Sequence, residues 1–331
     1  MRAAFIEKPG SIVLKDVPAP AVVEHEVLIE VKASGICGTD IHIFHGEYLG
    51  TYPVIPGHEF SGIVRDVGAK VTRFSPGDHV AVEPNIACDN CPACLSNRQN
   101  FCANWKGVGV TLPGGMAELA TAPEKAVFNV GTLPFGSAAF VEPLSCVLHG
   151  VQRTGFTLAD RVLIIGAGPI GILLLQSILL EGASSITSVD RIAARRSLAE
   201  KSGASQTADS LDGLPAESYD VVVDATGVPT LMEKTVSLVR PGGRILLFGV
   251  PPGNSRLSLD AFAIFRKGLT LLSSYTSVRN SIQAVRLLES GKIDVSSLVS
   301  HELPLADFRR GIQLIEEGAE GVLKVLVRPD R

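Results

Sequence analysis

Val162-Leu-Ile-Ile165 runs straight into Gly166-Ala-Gly168-Pro169-Ile170-Gly171. A continuous apolar run is the signature of a strand buried on both faces, and the apolar stretch after the glycines continues as a helix to about Leu180. Each glycine has a separate task. Gly166 permits a tight turn, Gly168 lets a pyrophosphate approach the backbone, and Gly171 lets helix and strand pack closely. The helix N-terminus then presents free N–H groups and a partial positive charge to phosphate. An acid, Asp190, follows 19 residues after Gly171, at the end of the next apolar run. That context is what a dinucleotide fingerprint requires. Asp190 is placed to bind ribose hydroxyls and repel a 2′-phosphate, which favours NAD over NADP. Arg191 and Arg195 either neutralise that acid or grip a phosphate, and Arg196 reads as part of a solvated basic face.

The same alternation continues downstream. Ser185–Asp190, Tyr219–Ala225 and Arg244–Val250 read as strands, separated by helices at Ala193–Lys201 and Leu231–Val239. Alternating β and α units predict a doubly wound parallel sheet covered on both faces. The first 145 residues differ. Arg2–Glu7 and Ser11–Asp16 flank Pro9-Gly10 and predict a hairpin. Glu26–Ser34, Ser61–Val67 and Asp78–Val82 are further short strands, and no helix-period segment of useful length is evident there. After about residue 278, Ile282, Val285 and Leu288 are expected on one helical face. Phe308, Ile312 and Ile315 are expected on another, closed by Gly318, before a last strand at Gly321–Val327.

The 331-residue chain is 46% hydrophobic and 19% charged, with a net charge of −4 and no block of like charges. This balance fits two globular domains and offers no electrostatic grip on nucleic acid or an anionic membrane. The apolar stretch Ile170–Leu180 is too short to span a bilayer. Met1–Lys15 alternates like a strand and lacks the form of a signal peptide, so a reducing cytoplasm is expected.

Four of the six cysteines fall at Cys88-x2-Cys91-x2-Cys94-x7-Cys102. Four thiolates close a tetrahedral zinc site and leave no position for substrate, so residues 88–102 read as a structural metal lobe. Asp89, Asn90, Pro92 and Ala93 put no basic or aromatic residue between its first three cysteines, which argues against a nucleic-acid finger. A second, looser set lies upstream in Gly35-Ile-Cys37-Gly-Thr39-Asp40-Ile-His42 and Gly57-His58-Glu59. Each member alone has an ordinary explanation as a buried or turn residue. Their combination with a dinucleotide turn gives them weight.

In order and wording these motifs, with Val141-Glu142-Pro143-Leu144 and the glycine turn, resemble the zinc-dependent medium-chain dehydrogenase/reductase family. The resemblance runs over nearly the full chain and is strongest to its polyol (sorbitol-like) and threonine dehydrogenase branch. It implies an α/β chain of two domains. A GroES-like, β-rich catalytic domain would take residues 1–147 and 278–331, and a Rossmann NAD-binding domain residues 148–277. It implies two zinc ions per chain. Cys37, His58 and Glu59 would hold the catalytic ion, with Glu142 binding that ion or its water. Asp40 would orient His58. Thr39 and His42 would relay the substrate proton toward solvent. Phe248, Gly249, Val250, Ser273, Ser274 and Tyr275 would line the nicotinamide. Cys146, four residues after Glu142, falls on an apolar position and reads as a small buried side chain.

The implied reaction is reversible oxidation of a secondary alcohol to a ketone, with a hydride passing to nicotinamide C4. Polyols or sugar alcohols are the first expectation for this small-molecule substrate. The arginine that sorbitol-type members carry beside the tyrosine is absent at Ser274-Tyr275, and the Gly107–Gly115 stretch resembles threonine dehydrogenase equally well. L-Threonine or a general secondary alcohol is therefore the alternative. A nucleotide-binding scaffold with only the structural zinc is the reading from a different class. The family resemblance also implies a homodimer or homotetramer.

Overall fold

The structure, a computed structural model, describes residues 1–47, 50–318 and 320–330. The chain divides into two compact units, one of residues 1–145 and 277–331 and one of 146–276.

In the second unit six strands pair in parallel throughout. Their order across the sheet is Gln206–Ala208, Ser185–Val189, Arg161–Ile165, Tyr219–Asp224, Val239–Leu247, Thr270–Ser273. Numbered along the chain this is 3-2-1-4-5-6, the doubly wound order. The order reverses between Arg161–Ile165 and Tyr219–Asp224, and ligands bind beyond the carboxyl ends of strands at such a switch. The glycine turn leaves the first of these two strands at its carboxyl end. Leu163, Ile165, Val222 and Ile245 are fully or almost fully buried in its core. Two strands, Gln206–Ala208 and Thr270–Ser273, and the helix Ala261–Lys267 were not anticipated. The strands lie at the two ends of the sheet, where half the pairing surface is missing and no long apolar run is needed.

The first unit is built on Glu26–Gly35, which pairs antiparallel with Glu59–Val67, Leu119–Pro123 and Lys324–Arg328. His79–Val82 and Val127–Asn129 extend the sheet on one side and Val299–Pro304 on the other. Its alternation is clean, since Val27, Ile29 and Val31 are wholly buried with Phe60 and Val80. The hairpin Arg2–Lys8/Ser11–Asp16 forms as expected. A buried carboxylate ties residues 277–281 back into this unit. Glu83 Oε2 accepts from the hydroxyls of Ser277 (2.7 Å), Ser281 (2.7 Å) and Ser145 (3.2 Å), and its Oε1 accepts from Asn85 Nδ2 (2.6 Å). Four neutral donors replace the water that a buried carboxylate would otherwise need.

Two helical expectations need correction. An eight-residue helix, Gly38–His45, lies within the part read as helix-free. At eight residues it is too short to show a strong period. In Ser281–Glu289 the buried face is Ser281, Ala284, Val285 and Leu288, and Ile282 is half exposed. Pure i+3 spacing drifts off one face, because a helix turns every 3.6 residues. The helix Phe308–Glu317 buries Phe308 and Ile312 and ends on Gly318 in the left-handed region at φ 57°, where glycine carries no steric penalty. Among the described residues no helix is long and apolar enough to cross a membrane.

Candidate metal centres and dinucleotide turn

Cys37 stands between the end of Glu26–Gly35 and the first turn of Gly38–His45, as the N-cap of that helix. Its backbone N–H donates to Asp40 Oδ2 at 2.8 Å. Asp40 is completely buried, and its Oδ1 accepts from the Gly57 N–H at 3.3 Å. This one acid therefore ties the Cys37 turn to the Gly57-His58-Glu59 segment. Register completes the assembly, since Gly35 opposes Glu59 across the ladder. As a result one ligand atom each from Cys37, His58 and Glu59 lies within 4.8 Å of the others.

The site is a buried concentration of negative charge. His58 is 5% exposed and Glu59 1%. His58 Nδ1 makes no hydrogen bond, and Asp40 Oδ1 lies 3.5 Å away. Burial pushes the imidazole down, but the charges of Asp40 and Cys37 override it and hold His58 well above the usual histidine range. Such a pocket draws in a cation. A thiolate, an imidazole and a carboxylate at this separation suit zinc, and three protein ligands leave a coordination position open. Glu142 is buried in the first turn of Val141–Thr154 and lies outside the three-residue cluster. Thr39 Oγ1 is 3.9 Å from the Cys37 sulfur. His42 follows one turn later, half exposed, with Nδ1 2.9 Å from Glu47 Oε2.

Cys88, Cys91, Cys94 and Cys102 form the second cluster, also within 4.8 Å of one another. None is in a disulfide. Cys91 Sγ lies 3.5 Å from Cys94 Sγ and 4.0 Å from Cys102 Sγ. The thiols are strongly unequal. The Asn90 N–H draws Cys88 down to about 6, whereas burial and the neighbouring sulfurs push Cys94 up to about 12. Four sulfurs this close cannot all ionise without a cation, and a tetrahedral zinc ion relieves that conflict.

In the second unit Gly166 has φ 101°. Gly168 caps the helix Pro169–Leu180, with Pro169 and Ile170 opening its first turn. A Cβ on Gly168 would meet nothing closer than Arg195 Nη1 at 3.9 Å, so space stands open over the helix N-terminus. That opening is the cradle a pyrophosphate needs. Asp190 spans the turn, since Oδ2 accepts from Ala167 N–H and Oδ1 from Ile192 N–H, both at 2.9 Å. Arg195 Nη1 is 3.9 Å from Asp190 Oδ2. Arg196 Nη1 instead donates to the carbonyls of Asp190 and Arg191. The Arg191 side chain is exposed.

Phe248 and Gly249 both donate backbone N–H bonds to the Asp224 carbonyl, and Val250 follows with 64% exposure. The Phe248 ring lies against Gly150 beside Ser274. Ser273 O accepts from Arg153, Ser274 Oγ is buried without a hydrogen-bond partner, and Tyr275 is 36% exposed.

Asp224 and Lys324 escaped the sequence reading. Asp224 is fully buried at the switch between strands and accepts from Thr226 Oγ1 (2.6 Å) and Gly227 N–H (3.0 Å). Lys324 Nζ donates to Glu59 Oε2 at 2.6 Å. Both stand out in retrospect as single charges inside or ending an apolar run, which a chain tolerates only with a partner.

Known proteins resemble this chain over nearly its full length. The alcohol dehydrogenase GroES-like domain matches residues 23–132, and the zinc-binding dehydrogenase domain matches residues 169–290. The chain is similar to a D-altritol 5-dehydrogenase of Agrobacterium fabrum, 38% identical over 310 residues and 92% of each chain. It is 34% identical over 332 residues to an L-threonine 3-dehydrogenase of Bacillus velezensis, covering 96% of this chain and 95% of that one. A zinc-binding dehydrogenase of Sinorhizobium meliloti solved with NADP superposes with a TM-score of 0.95, at 35% identity and 99% coverage of both. With paired GroES-like and nucleotide-binding units, a four-cysteine lobe and an open Cys-His-Glu cluster, the chain belongs to the zinc-dependent medium-chain dehydrogenase/reductase family.

Proposed function

We propose that this protein reversibly oxidises a secondary alcohol of a polyol or sugar alcohol to the ketone, using a nicotinamide dinucleotide and zinc. The observation that carries this reading is the open, anionic Cys37–His58–Glu59 cluster in a chain that also holds a dinucleotide turn. When bound, zinc supplies Lewis acidity that makes the substrate hydroxyl easier to deprotonate, and the nicotinamide supplies the hydride acceptor. Cys37, His58 and Glu59 would hold the metal, and Asp40 keeps the Cys37 and His58 segments in register. Thr39 lies beside the Cys37 sulfur, so its hydroxyl can take the substrate proton and pass it to His42 one turn along the same helix face. His42 is half exposed and can release that proton to water. Glu142 offers a buried carboxylate as a further ligand or as a holder of water. Gly168 and the Pro169–Leu180 N-terminus would bind the pyrophosphate, and Phe248, Gly249, Val250, Ser273, Ser274 and Tyr275 the nicotinamide end.

Asp190 supports NAD, because a carboxylate repels a 2′-phosphate. Arg195 supports NADP to a lesser degree, because it stands beside both Asp190 and Gly168. L-Threonine is the second substrate reading, supported by the similarity to a threonine dehydrogenase. A panel of five- and six-carbon polyols, L-threonine and simple secondary alcohols, each with NAD and NADP, tests both choices. The highest kcat/KM is expected for a polyol with NAD. A preference for threonine would move the protein to the second reading, and no turnover of any alcohol would defeat the first.

We also infer a homo-oligomer in the cytoplasm, the compartment that keeps cysteines reduced for metal binding. Thr270–Ser273 ends the six-stranded sheet with one side unpaired, and the helix beside it in sequence exposes Phe262 (69%) and Phe265 (80%). An open edge flanked by two exposed aromatics favours pairing with a second copy. Replacing both Phe262 and Phe265 with Glu is expected to halve the mass seen by light scattering. Metal content should not change.

A further inference from the structure

Lys324 lies in the strand Lys324–Arg328, followed by Val325, Leu326 and Val327, all of which are fully buried. It is itself 6% exposed. An ammonium in such surroundings is costly unless it is paired and hydrogen-bonded. Here Nζ donates to Glu59 Oε2 at 2.6 Å and to the Ile36 carbonyl at 3.3 Å, and it lies 5.9 Å from the centre of the Phe140 ring. The opposite wall is equally specific. Gly35 faces Glu59 across the ladder, and a Cβ there would come within 2.2 Å of Oε2. Oε2 therefore sits in a slot, opened by a missing side chain and closed by an ammonium.

We propose that Lys324 is a positioning residue of the open metal site: it occupies Glu59 Oε2, so that the carboxylate offers the metal Oε1 alone. The proposal rests on the reading that Cys37, His58 and Glu59 bind zinc. A carboxylate that binds through both oxygens takes up an extra coordination position. Holding one oxygen in a charge-assisted hydrogen bond prevents this and keeps room for substrate.

Cobalt(II) absorption tests this without reference to turnover. Four-coordinate cobalt absorbs visible light several-fold more strongly than five-coordinate cobalt, and the coordination geometry identifies the site. Native protein is loaded with cobalt, and Cys37→Ser protein is subtracted to remove the lobe's contribution. The remaining spectrum is expected to be four-coordinate with a thiolate charge-transfer band. Lys324→Met is expected to retain the metal but lose intensity several-fold as Oε2 swings in. Lys324→Arg, which keeps a donor and a charge, is expected to restore it. Lys324→Met protein with the native spectrum overturns the proposal, as does a native spectrum that is already five-coordinate. The second measurement holds even where the Met variant does not fold. A native spectrum with no Cys37-dependent band defeats instead the assignment of the site itself.

Discussion

Replacing Cys37 with serine is expected to abolish NAD-linked alcohol oxidation and to lower bound zinc from two ions per chain to one. Among the described residues the structure brings together two clusters of ligand atoms, and Cys37 belongs to one of them. Its thiolate is the soft, charged member of a set that otherwise holds one imidazole and one carboxylate. A serine hydroxyl stays protonated at neutral pH and offers a hard oxygen, so it removes both a charge and a preferred donor. Loss of a partner that merely orients a ligand costs about 10- to 100-fold in metal affinity or activity. Loss of the ligand itself should exceed about 100-fold on the same scale. The fold should survive. Cys37 is only partly buried, its capping interaction with Asp40 runs through the backbone N–H, and serine is a good N-cap. Zinc analysis by mass spectrometry, with thermal melting alongside, separates the outcomes. One ion per chain in the native protein would favour the scaffold reading, in which only the lobe holds metal. Full activity with a single remaining ion would overturn the assignment of the open site.

The parallel sheet was legible because both of its faces are covered. The inner stretches of its strands, residues 162–165 and 221–223, must then be apolar without a break, with polar residues left to the strand ends. Its two edge strands were illegible for the converse reason. The four-cysteine cluster was readable from spacing alone, because one short loop supplies all of its ligands. The open cluster was not. Cys37 and His58 are 21 residues apart and meet only because Glu26–Gly35 pairs with Glu59–Val67 in one register. Family resemblance supplied what spacing could not. Lys324 lies 265 residues from Glu59, and nothing local announces that the two share an ion pair. A lysine in the run Val322-Leu-Lys-Val-Leu-Val327 was the available hint, because a lone charge among buried apolar residues needs a partner.

Two glycines of the same turn, Gly168 and Gly171, should fail in different ways, and the pair tests the dinucleotide site with the next largest effect. A Cβ on Gly171 would lie 1.9 Å from the Gly166 carbonyl oxygen and 2.8 Å from its carbon. Both atoms are backbone, so no side-chain rotation relieves the clash. Gly166 is itself held, because its N–H donates to Val189 O at 2.8 Å. Gly171→Val must therefore push the helix away from the strand and destabilise the second unit by about 3 kcal/mol or more, the upper range for overpacking. Gly168 has φ −71°, which any residue can adopt, and a Cβ there meets only Arg195 at 3.9 Å. Gly168→Ala should then fold and melt like the native protein. Its methyl group would stand in the space reserved for the pyrophosphate, so cofactor affinity should fall about 100-fold, or about 3 kcal/mol. Titration with NADH by fluorescence, beside thermal melting, distinguishes the two. Native affinity in folded Gly168→Ala protein would mean that the turn does not bind a dinucleotide. A native melt for Gly171→Val would mean that helix and strand are not packed as closely as their backbone atoms require.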